Sequence, residues 1–441
     1  MKRASSPEVP GSTAVKNLVF SVMVAAAITI SPAGLSAQEP AAADREDKEA
    51  HHDPAAELGH KQHPVHAAFE SNLSGWLTAI AQGTIGSKDA AGEKNDASEG
   101  SLSMDIFYEA ALNGSGLFLF HLDAARGGDG LSHIPALLAS PNGNPTGTNA
   151  DLEFDEDRIH VVEASYETTL GDGKWTLTFG HIDPTGYFDA NAYANDERTQ
   201  FLANGFVINP AIEWGGDPNF FGPGARLTFT PSDLMDVTFG VMEGDGDYRD
   251  MFSRPFMMAE VDLKPNLGGK EGTYRIYYWE NHLPHYDDFL TVNGGTATAP
   301  DPISGEEVPT GALLGDKNTG FGISLDQVLT DNFGIWARLG MQDGDVSQFD
   351  RHVSAGVQIA GGAFGRPDDA AGVGLGMTMV SDAYKDALGF SDNELYAEAY
   401  YNMLVKEGFQ VSPDIQYVSN PGGDGSQDPF FVYGVRAGVM F

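Results

Sequence analysis

The stretch NFGIWARLGMQ, residues 332–342, decides the fold class, because apolar residues alternate with polar or small ones along it. Five apolar side chains, from Phe333 to Met341, occupy every second position, and Trp336 and Arg338 fall between them. Successive side chains of a β-strand point to opposite faces. The stretch therefore predicts a strand with one apolar face and one charged face. A soluble barrel or sandwich would turn the apolar face inward, and a membrane barrel would turn it outward.

Segments of this kind recur from residue 73 to the terminal VYGVRAGVMF, residues 432–441. Each has roughly the length that crosses a bilayer as a tilted strand. The segments are residues 73–85, 100–112, 115–125, 158–169, 173–182, 222–231, 235–243, 255–264, 272–281, 319–328, 332–342, 351–361, 372–381, 394–403, 408–418 and 430–441. This repetition predicts an all-β protein, a transmembrane antiparallel β-barrel of about 16 strands.

The connections between these segments alternate between short turns and long polar stretches. Asn113-Gly114-Ser115 and Thr330-Asp331-Asn332 are typical turns, whereas residues 183–221 and 282–318 are long. Loops that are long at one end of a sheet and short at the other are typical of outer-membrane barrels. Residues 362–371 depart from the pattern, because they form a long connection where a short turn is expected. The alternation favours the membrane barrel over a soluble sandwich.

Composition excludes several classes of function. Asp and Glu number 63 against 25 Lys and Arg, which gives a formal net charge of −38. Such a chain has no basic surface with which to neutralise a nucleic-acid backbone. It has no Cys, so disulfides, thiolate zinc sites and c-type haem attachment are excluded. We expect no cofactor.

The first residues predict export. Lys2, Arg3 and Lys16 precede the apolar run LVFSVMVAAAITI, residues 18–30, and small residues follow at Ser36-Ala37. The run is short for a membrane helix and is typical of a signal peptide. We expect residues 1–37 to be cleaved, and a retained anchor is the alternative.

Residues 38–72 are rich in Ala and charge, lack periodicity, and predict an acidic periplasmic linker before a barrel domain at residues 73–441. Five imidazoles lie within sixteen residues of this linker, at His51, His52, His60, His63 and His66. Imidazole binds zinc, copper or nickel well, so the linker is either a metal-collecting arm or a solvated segment that happens to carry His.

Three stretches resemble the carbohydrate-selective porin (OprB-type) family. They are FGHIDPTGYFDANAYANDERTQFLANGFVINPAIEW at residues 179–214, ELYAEAYYNMLVKEGFQVSPDIQYVSNPGG at residues 394–423, and the terminal VYGVRAGVMF. The resemblance implies a sixteen-stranded barrel in the outer membrane of a Gram-negative bacterium. It also implies that sugars pass through the barrel by diffusion and that loops fold into its mouth.

Selectivity in a pore comes from its width, its wall charges and the groups that replace the water around the solute. The alternation places these polar and aromatic side chains in the lumen: Arg226, Arg275, Arg338, Arg436, Glu163, Glu167, Glu394, Glu398, Asp414, Tyr277, Trp279, Trp336, Tyr396 and Tyr400. We expect Arg338 to bond sugar hydroxyls and Trp336 to offer a stacking face. The alternative is that most of these residues line a wide, wet wall.

The connection at residues 183–221 is the predicted constriction. We expect Asn195 to cap a short helix that runs through Phe201 and Leu202 and ends at Asn204-Gly205. The charged residues of this helix would face the solute, and they are Asp196, Glu197 and Arg198. The helix would pack against the inner wall, or it would lie outside and cap a neighbouring subunit.

Three functions follow from these features. The first is a porin for carbohydrates and other small hydrophilic solutes. The second is a channel selective for cations or metal ions, which the acidic composition and the His residues favour. The third, a barrel-borne hydrolase or a scaffold for a partner, has no Gly-x-Ser-x-Gly motif to support it. We expect outer-membrane lipid and small solutes as partners, no enzyme activity, and a monomer or a homotrimer.

Overall fold

Sixteen antiparallel strands close into a barrel in the computed structural model of the chain. The barrel strands are β1 Ser71–Ile85, β2 Ser98–Leu112, β3 Gly116–Gly127, β4 Arg158–Leu170, β5 Trp175–Ile182, β6 Gly222–Ser232, β7 Met235–Glu243, β8 Pro255–Leu263, β9 Lys270–Asn281, β10 Asn318–Thr330, β11 Phe333–Gln342, β12 Phe349–Ala360, β13 Ala370–Val380, β14 Glu394–Lys406, β15 Phe409–Ser419 and β16 Phe430–Met440. Each strand pairs with the next along the chain, and β1 pairs with β16 to close the sheet. The predicted fold class is confirmed.

Shorter elements lie in the connections. Three two-stranded pairings involve Asn266–Leu267 with the start of β9, His285–Tyr286 with Leu313–Gly315, and Thr298–Pro300 with Glu307–Pro309. The helices within the described residues are α1 Asn204–Val207 and α2 Asp382–Leu388, with 3-10 turns at Pro184–Gly186, Gly361–Phe364 and Pro421–Gly423. Among the residues that the structure describes, no helix is long and apolar enough to cross a membrane.

The structure describes residues 71–88, 92–112, 116–127, 131, 140–143, 158–216, 220–245, 248–249, 252–283, 285–286, 298–300, 307–309, 313–315, 317–389 and 392–441. The predicted signal peptide, all but the last two residues of the predicted linker, and the five linker His residues lie outside this set. Residues 71 and 72 belong to β1, so the barrel begins two residues before the predicted boundary.

The barrel is inverted relative to a soluble protein, with apolar side chains outside and polar ones inside. In β11, Leu339 is 37% exposed and Met341 is 45% exposed, whereas Arg338 is 1% exposed and Trp336 is 2% exposed. The same holds elsewhere: Leu375 of β13 faces outward, and Glu398 of β14 is buried. Charged side chains avoid hydrocarbon because leaving polar surroundings is costly. The charged face of the sheet therefore points inward, and the exposed apolar belt is the surface that contacts lipid.

The two ends of the barrel differ in their connections. Both termini of the barrel and the tight turns, such as the one between β10 and β11, lie at one end. The long connections lie at the other end, and they join β3 to β4, β5 to β6, and β9 to β10. The connection between β12 and β13 stays at the short end, where the 3-10 turn Gly361–Phe364 takes up its extra length.

Glycines on the inner wall accommodate aromatic rings from the neighbouring strand. Tyr277 of β9 lies over its cross-strand partner Gly322 of β10, and a Cβ atom at Gly322 would come within 2.4 Å of that ring. Trp336 of β11 lies in the same way over Gly356 of β12. Because these rings lie flat against the sheet, the wall stays thin and leaves space inside the barrel.

The inverted arrangement predicts how an outward substitution behaves. Leu339→Arg should lower the free energy of unfolding in a lipid bilayer by about 2–4 kcal/mol, because it places a guanidinium in hydrocarbon. Leu339→Met, a change of similar volume, should cost less than about 1.5 kcal/mol. Urea-dependent unfolding in vesicles, followed by Trp fluorescence, measures both. Equal stability of the two variants would contradict a lipid-facing position for Leu339.

Candidate functional site

The long connection between β5 and β6 folds into the barrel and lies against its inner wall. We call residues 183–216 of this connection the inserted segment. Phe201 and Phe206 are both fully buried. Their ring centroids lie 5.4 and 5.5 Å from that of Trp336, and Phe201 also lies 4.9 Å from Tyr400 of β14. These contacts favour the inside position of the segment over a cap on a neighbouring subunit.

The predicted helix through Phe201 and Leu202 is wrong. Residues 196–200 form a turn instead, in which the Asp196 carboxylate accepts hydrogen bonds from the Arg198 backbone N–H (3.0 Å) and from the Thr199 hydroxyl (2.6 Å). The N–H groups of Leu202 and Ala203 donate to the Glu398 carboxylate of β14, at 2.5 and 2.8 Å, so they cannot donate to carbonyls of a preceding helical turn. The one-turn helix α1 begins at Asn204, where the predicted helix was expected to end.

Arg338 of β11 fastens the inserted segment to the wall. Its guanidinium donates to the backbone carbonyls of Ala194 (2.5 Å), Asp189 (2.8 Å) and Phe206, and to Oδ1 of Asn195 (2.8 Å). Its Nε lies 3.0 Å from Oδ2 of Asp189, and both side chains are buried. Both Nη atoms of the guanidinium therefore donate to the segment, which gives Arg338 a positioning role in place of the expected bond to a sugar hydroxyl.

Asp189 completes this attachment from the side of the segment. It accepts hydrogen bonds from the backbone N–H of Asn209 (3.0 Å) and from the hydroxyl of Tyr277 (2.9 Å), while its own N–H donates to Glu260 of β8 (2.9 Å). Burial raises the pKa of Asp189 above its usual value, and the nearby Arg338 charge opposes that rise.

Arg436 of β16 holds the far part of the segment in the same manner. It donates to the backbone carbonyls of Glu197 (2.6 Å) and Gln200 (2.9 Å). The connection between β3 and β4 also contacts the segment, because the backbone N–H of Gly143 donates to the Leu202 carbonyl at 2.7 Å. The Pro141 carbonyl next to it accepts from Gln416 at 2.8 Å.

The residues predicted to line the lumen all lie on the inner face of their strands, but most are covered. These ten are buried beneath the inserted segment or a loop: Tyr277, Trp279, Trp336, Arg338, Glu394, Tyr396, Glu398, Tyr400, Asp414 and Arg436. Arg226 and Arg275 keep 10% and 12% of their side-chain surface exposed, and they pair with Glu167 (2.6 Å) and Asp326 (2.7 Å). A covered ring such as that of Trp336 offers no stacking face to a solute.

Several inner side chains stay partly exposed where strands β2 to β4 meet the inserted segment, and we call this region the eyelet. The segment approaches β4 at Tyr187, whose hydroxyl donates to Glu163, and it approaches β2 at Arg198, whose Nη1 lies 3.9 Å from Oδ1 of Asp105. His121 of β3 lies between them, with Nε2 2.9 Å from the same Asp105 oxygen. Part of the surface of Asp105, His121, Asp196 and Arg198 stays exposed.

Aromatic rings of the eyelet wall contact Arg198, the cationic residue of the segment. The Arg198 guanidinium lies 5.9 Å from the ring centroid of Trp76 in β1 and 5.6 Å from that of Phe107 in β2. On the β4 side the Arg226 guanidinium lies 4.0 Å above the Tyr187 ring. Cation–π contacts of this kind orient guanidinium groups against rings.

Sequence reasoning missed the wall of the eyelet, namely Trp76, Asp105, Phe107, His121 and Tyr187. The first four stand at alternate inward positions of β1, β2 and β3, so strand phase was the signal that would have placed them on the inner face. Within the described ranges, no group of three or more His, Asp and Glu side chains is arranged to hold a metal ion.

Comparison with known proteins gives consistent matches. The family model of the carbohydrate-selective porin, OprB family, matches residues 119–441. Porin B of Pseudomonas aeruginosa is 25% identical over 256 residues, which cover 52% of this chain and 54% of that protein. The chain thus spans about half the length of Porin B in this alignment. An uncharacterized protein of Aquifex aeolicus is 30% identical over 105 residues, or 24% of this chain and 29% of that protein.

Solved structures show the same fold. The structure of Pseudomonas putida OprB at high pH has a TM-score of 0.67 at 18% identity and covers 84% of this chain and 94% of that one. The structure of the same protein at low pH has a TM-score of 0.51 at 13% identity and covers 84% and 92%.

The Arg338 attachment predicts a change in pore size. Arg338→Ala leaves Asp189 as a buried charge without its main partner, a change that costs about 3–5 kcal/mol in comparable sites, and should release the inserted segment from the wall. We expect larger single-channel conductance and noisier current in planar bilayers. Arg351→Ala, on the exposed outer edge of the next strand, serves as the control. Unchanged conductance of Arg338→Ala would show that the segment stays in place without this residue.

Glu197 predicts a pH dependence of ion selectivity. Burial raises the pKa of Glu197 to about 7, and the Asp196 and Asp105 charges add to the rise while Arg198 opposes it. Its negative charge should therefore be lost as the pH falls through about 7. The cation-to-anion permeability ratio, measured from reversal potentials, should fall in the same range, and Glu197→Gln should remove this step. A ratio that stays constant through neutral pH would contradict the assignment.

Proposed function

The chain belongs to the OprB family of carbohydrate-selective porins, and on that premise we propose that it is an outer-membrane porin through which small carbohydrates and other hydrophilic solutes diffuse passively. One observation carries the proposal: a closed barrel with a lipid-facing apolar belt holds an inserted segment that narrows the lumen to a polar eyelet. A wide, unselective pore would not need a segment that narrows it, and a barrel with a purely structural role would not need a polar passage. The arrangement therefore favours a selective porin.

The chemistry of the eyelet suits a sugar. Carboxylates at Asp105 and Glu163 and the guanidinium of Arg198 can exchange hydrogen bonds with hydroxyl groups in place of water. The rings of Phe107 and Tyr187 add apolar surface, which fits the C–H face of a pyranose. No step of this process breaks a covalent bond, so the protein acts as a channel and not as an enzyme.

The proposal includes the route to the membrane. Residues 1–37 act as a cleaved signal peptide, and residues 38–70 stay in the periplasm as a linker. The short-turn end of the barrel, which carries both of its termini, then faces the periplasm, and the long connections face outward, as in other outer-membrane barrels. Mass spectrometry of the mature protein isolated from outer membranes tests the cleavage, which we expect after Ala37.

Transport through the purified protein tests the main proposal. In planar bilayers we expect stepwise conductance, because each inserted barrel adds one water-filled path. In liposome-swelling assays we expect rapid entry of monosaccharides and slow entry of large oligosaccharides, because the eyelet limits size. Vesicles without protein are the control. Conductance without any entry of neutral sugar would favour the ion-selective channel instead, and a sealed bilayer would refute both.

A further inference from the structure

Negative charge surrounds the eyelet. Among the residues that the structure describes, six carboxylates from β2, β4 and the inserted segment border it, against two guanidinium groups, Arg198 and Arg226. The carboxylates are Asp105, Glu163, Glu167, Asp183, Asp196 and Glu197. Asp183 stands at the start of the segment and interacts electrostatically with Glu163 and His121.

Both guanidinium groups are already matched. Nε of Arg198 lies 2.9 Å from Oδ1 of Asp196, and Nη2 of Arg226 lies 2.6 Å from Oε2 of Glu167. Each positive charge is therefore neutralised by its neighbour within the eyelet. Neither guanidinium group therefore attracts an anionic solute strongly.

Two of the other carboxylates, Glu163 and Asp183, receive hydrogen bonds from neutral groups. Glu163 accepts from the hydroxyls of Ser165 (2.5 Å) and Tyr187, and Asp183 accepts from the backbone N–H (2.9 Å) and the hydroxyl (2.7 Å) of Thr185. A neutral donor stabilises a carboxylate without cancelling its charge. Glu163 and Asp183, together with Asp105 and Glu197, therefore leave an excess of negative charge facing the solute.

This excess acts at close range. The Debye length at ordinary ionic strength is about 10 Å, and a solute inside a gap between wall and segment lies within that distance of the bordering groups. Low-dielectric walls focus the field of such charges and change the local concentration of an ion by roughly 10-fold or more.

We propose that the eyelet selects sugars by charge, admitting neutral and amino sugars and rejecting sugar acids. The inference rests on the proposed function and adds its substrate class. The selectivity arises from Glu163 on the wall, which accepts a hydrogen bond from Tyr187 of the segment, and from Glu197 on the segment, which interacts electrostatically with Arg198 and Asp105. Asp105 and Asp183 add to the field.

Liposome swelling with three solutes of nearly equal size tests this selectivity. Glucose, glucosamine and glucuronate are compared at low salt and at a pH well above the pKa of about 7 of Glu197, so that this carboxylate is ionised. For the wild-type protein we expect glucosamine to enter roughly 10-fold faster than glucuronate, with glucose between them. The double variant Glu163→Gln with Glu197→Gln should lower the ratio of glucosamine to glucuronate toward one, because it removes two of the four carboxylates that carry the excess charge.

Glu407→Gln is the matched control, because it removes one carboxylate from an exposed tight turn between β14 and β15. It should keep the wild-type ratio. Equal entry of glucosamine and glucuronate into wild-type vesicles would overturn the inference, as would a wild-type ratio in the double variant.

Two further readouts keep the result interpretable. Glucose entry reports on the proposed function alone, because glucose is uncharged. If glucose does not enter, the porin assignment is wrong. If glucose enters rapidly but glucosamine and glucuronate enter equally, only the inference about charge is wrong. If the double variant does not fold, judged by heat-dependent mobility on a gel, the wild-type reversal potential in a KCl gradient decides. Cation selectivity supports the inference, and anion selectivity refutes it.

Discussion

The attachment of main-chain groups of the inserted segment to charged side chains of the barrel wall is the interaction on which the rest of the structure depends. An irregular segment inside a barrel cannot satisfy its own backbone donors and acceptors, and a buried unsatisfied group is costly. Arg338 and Arg436 therefore supply donors to its carbonyls, and Glu398 accepts from its N–H groups. The wall charges are explained as much by this need as by any contact with a solute.

The close fit between the inserted segment and the wall depends on glycines of the wall, which have no side chain. Tyr193 lies over Gly334, Asn209 lies over Gly340, and a Cβ atom at either glycine would come within about 2.5 Å of its neighbour. The aromatic rings of the wall lie flat over glycines of adjacent strands for the same reason. Space saved on this side of the lumen leaves the opening on the other side, along β2 to β4.

The sequence predicted the barrel closely and the site only in part. Strand periodicity is a local property, so the bounds of β11 and the inward phase of Arg338 and Trp336 follow from a few neighbouring residues. The path of residues 183–216 depends on partners far along the chain, such as Glu398, which no local pattern reveals. For this reason the local pattern misplaces the helix at Phe201 and predicts solute contacts for covered residues such as Trp336.

The separation of these partners along the chain has a consequence for assembly. The bonds from Arg338 to Ala194, from Leu202 to Glu398 and from Arg436 to Glu197 join residues 144, 196 and 239 positions apart. Contacts of such long range form late, because the intervening chain must first be ordered. Arg436 belongs to β16, the strand that closes the sheet, so the segment acquires its last anchor only when the barrel is complete. The bore of the channel is thus fixed at the final step of folding, and an unfinished barrel has no defined bore.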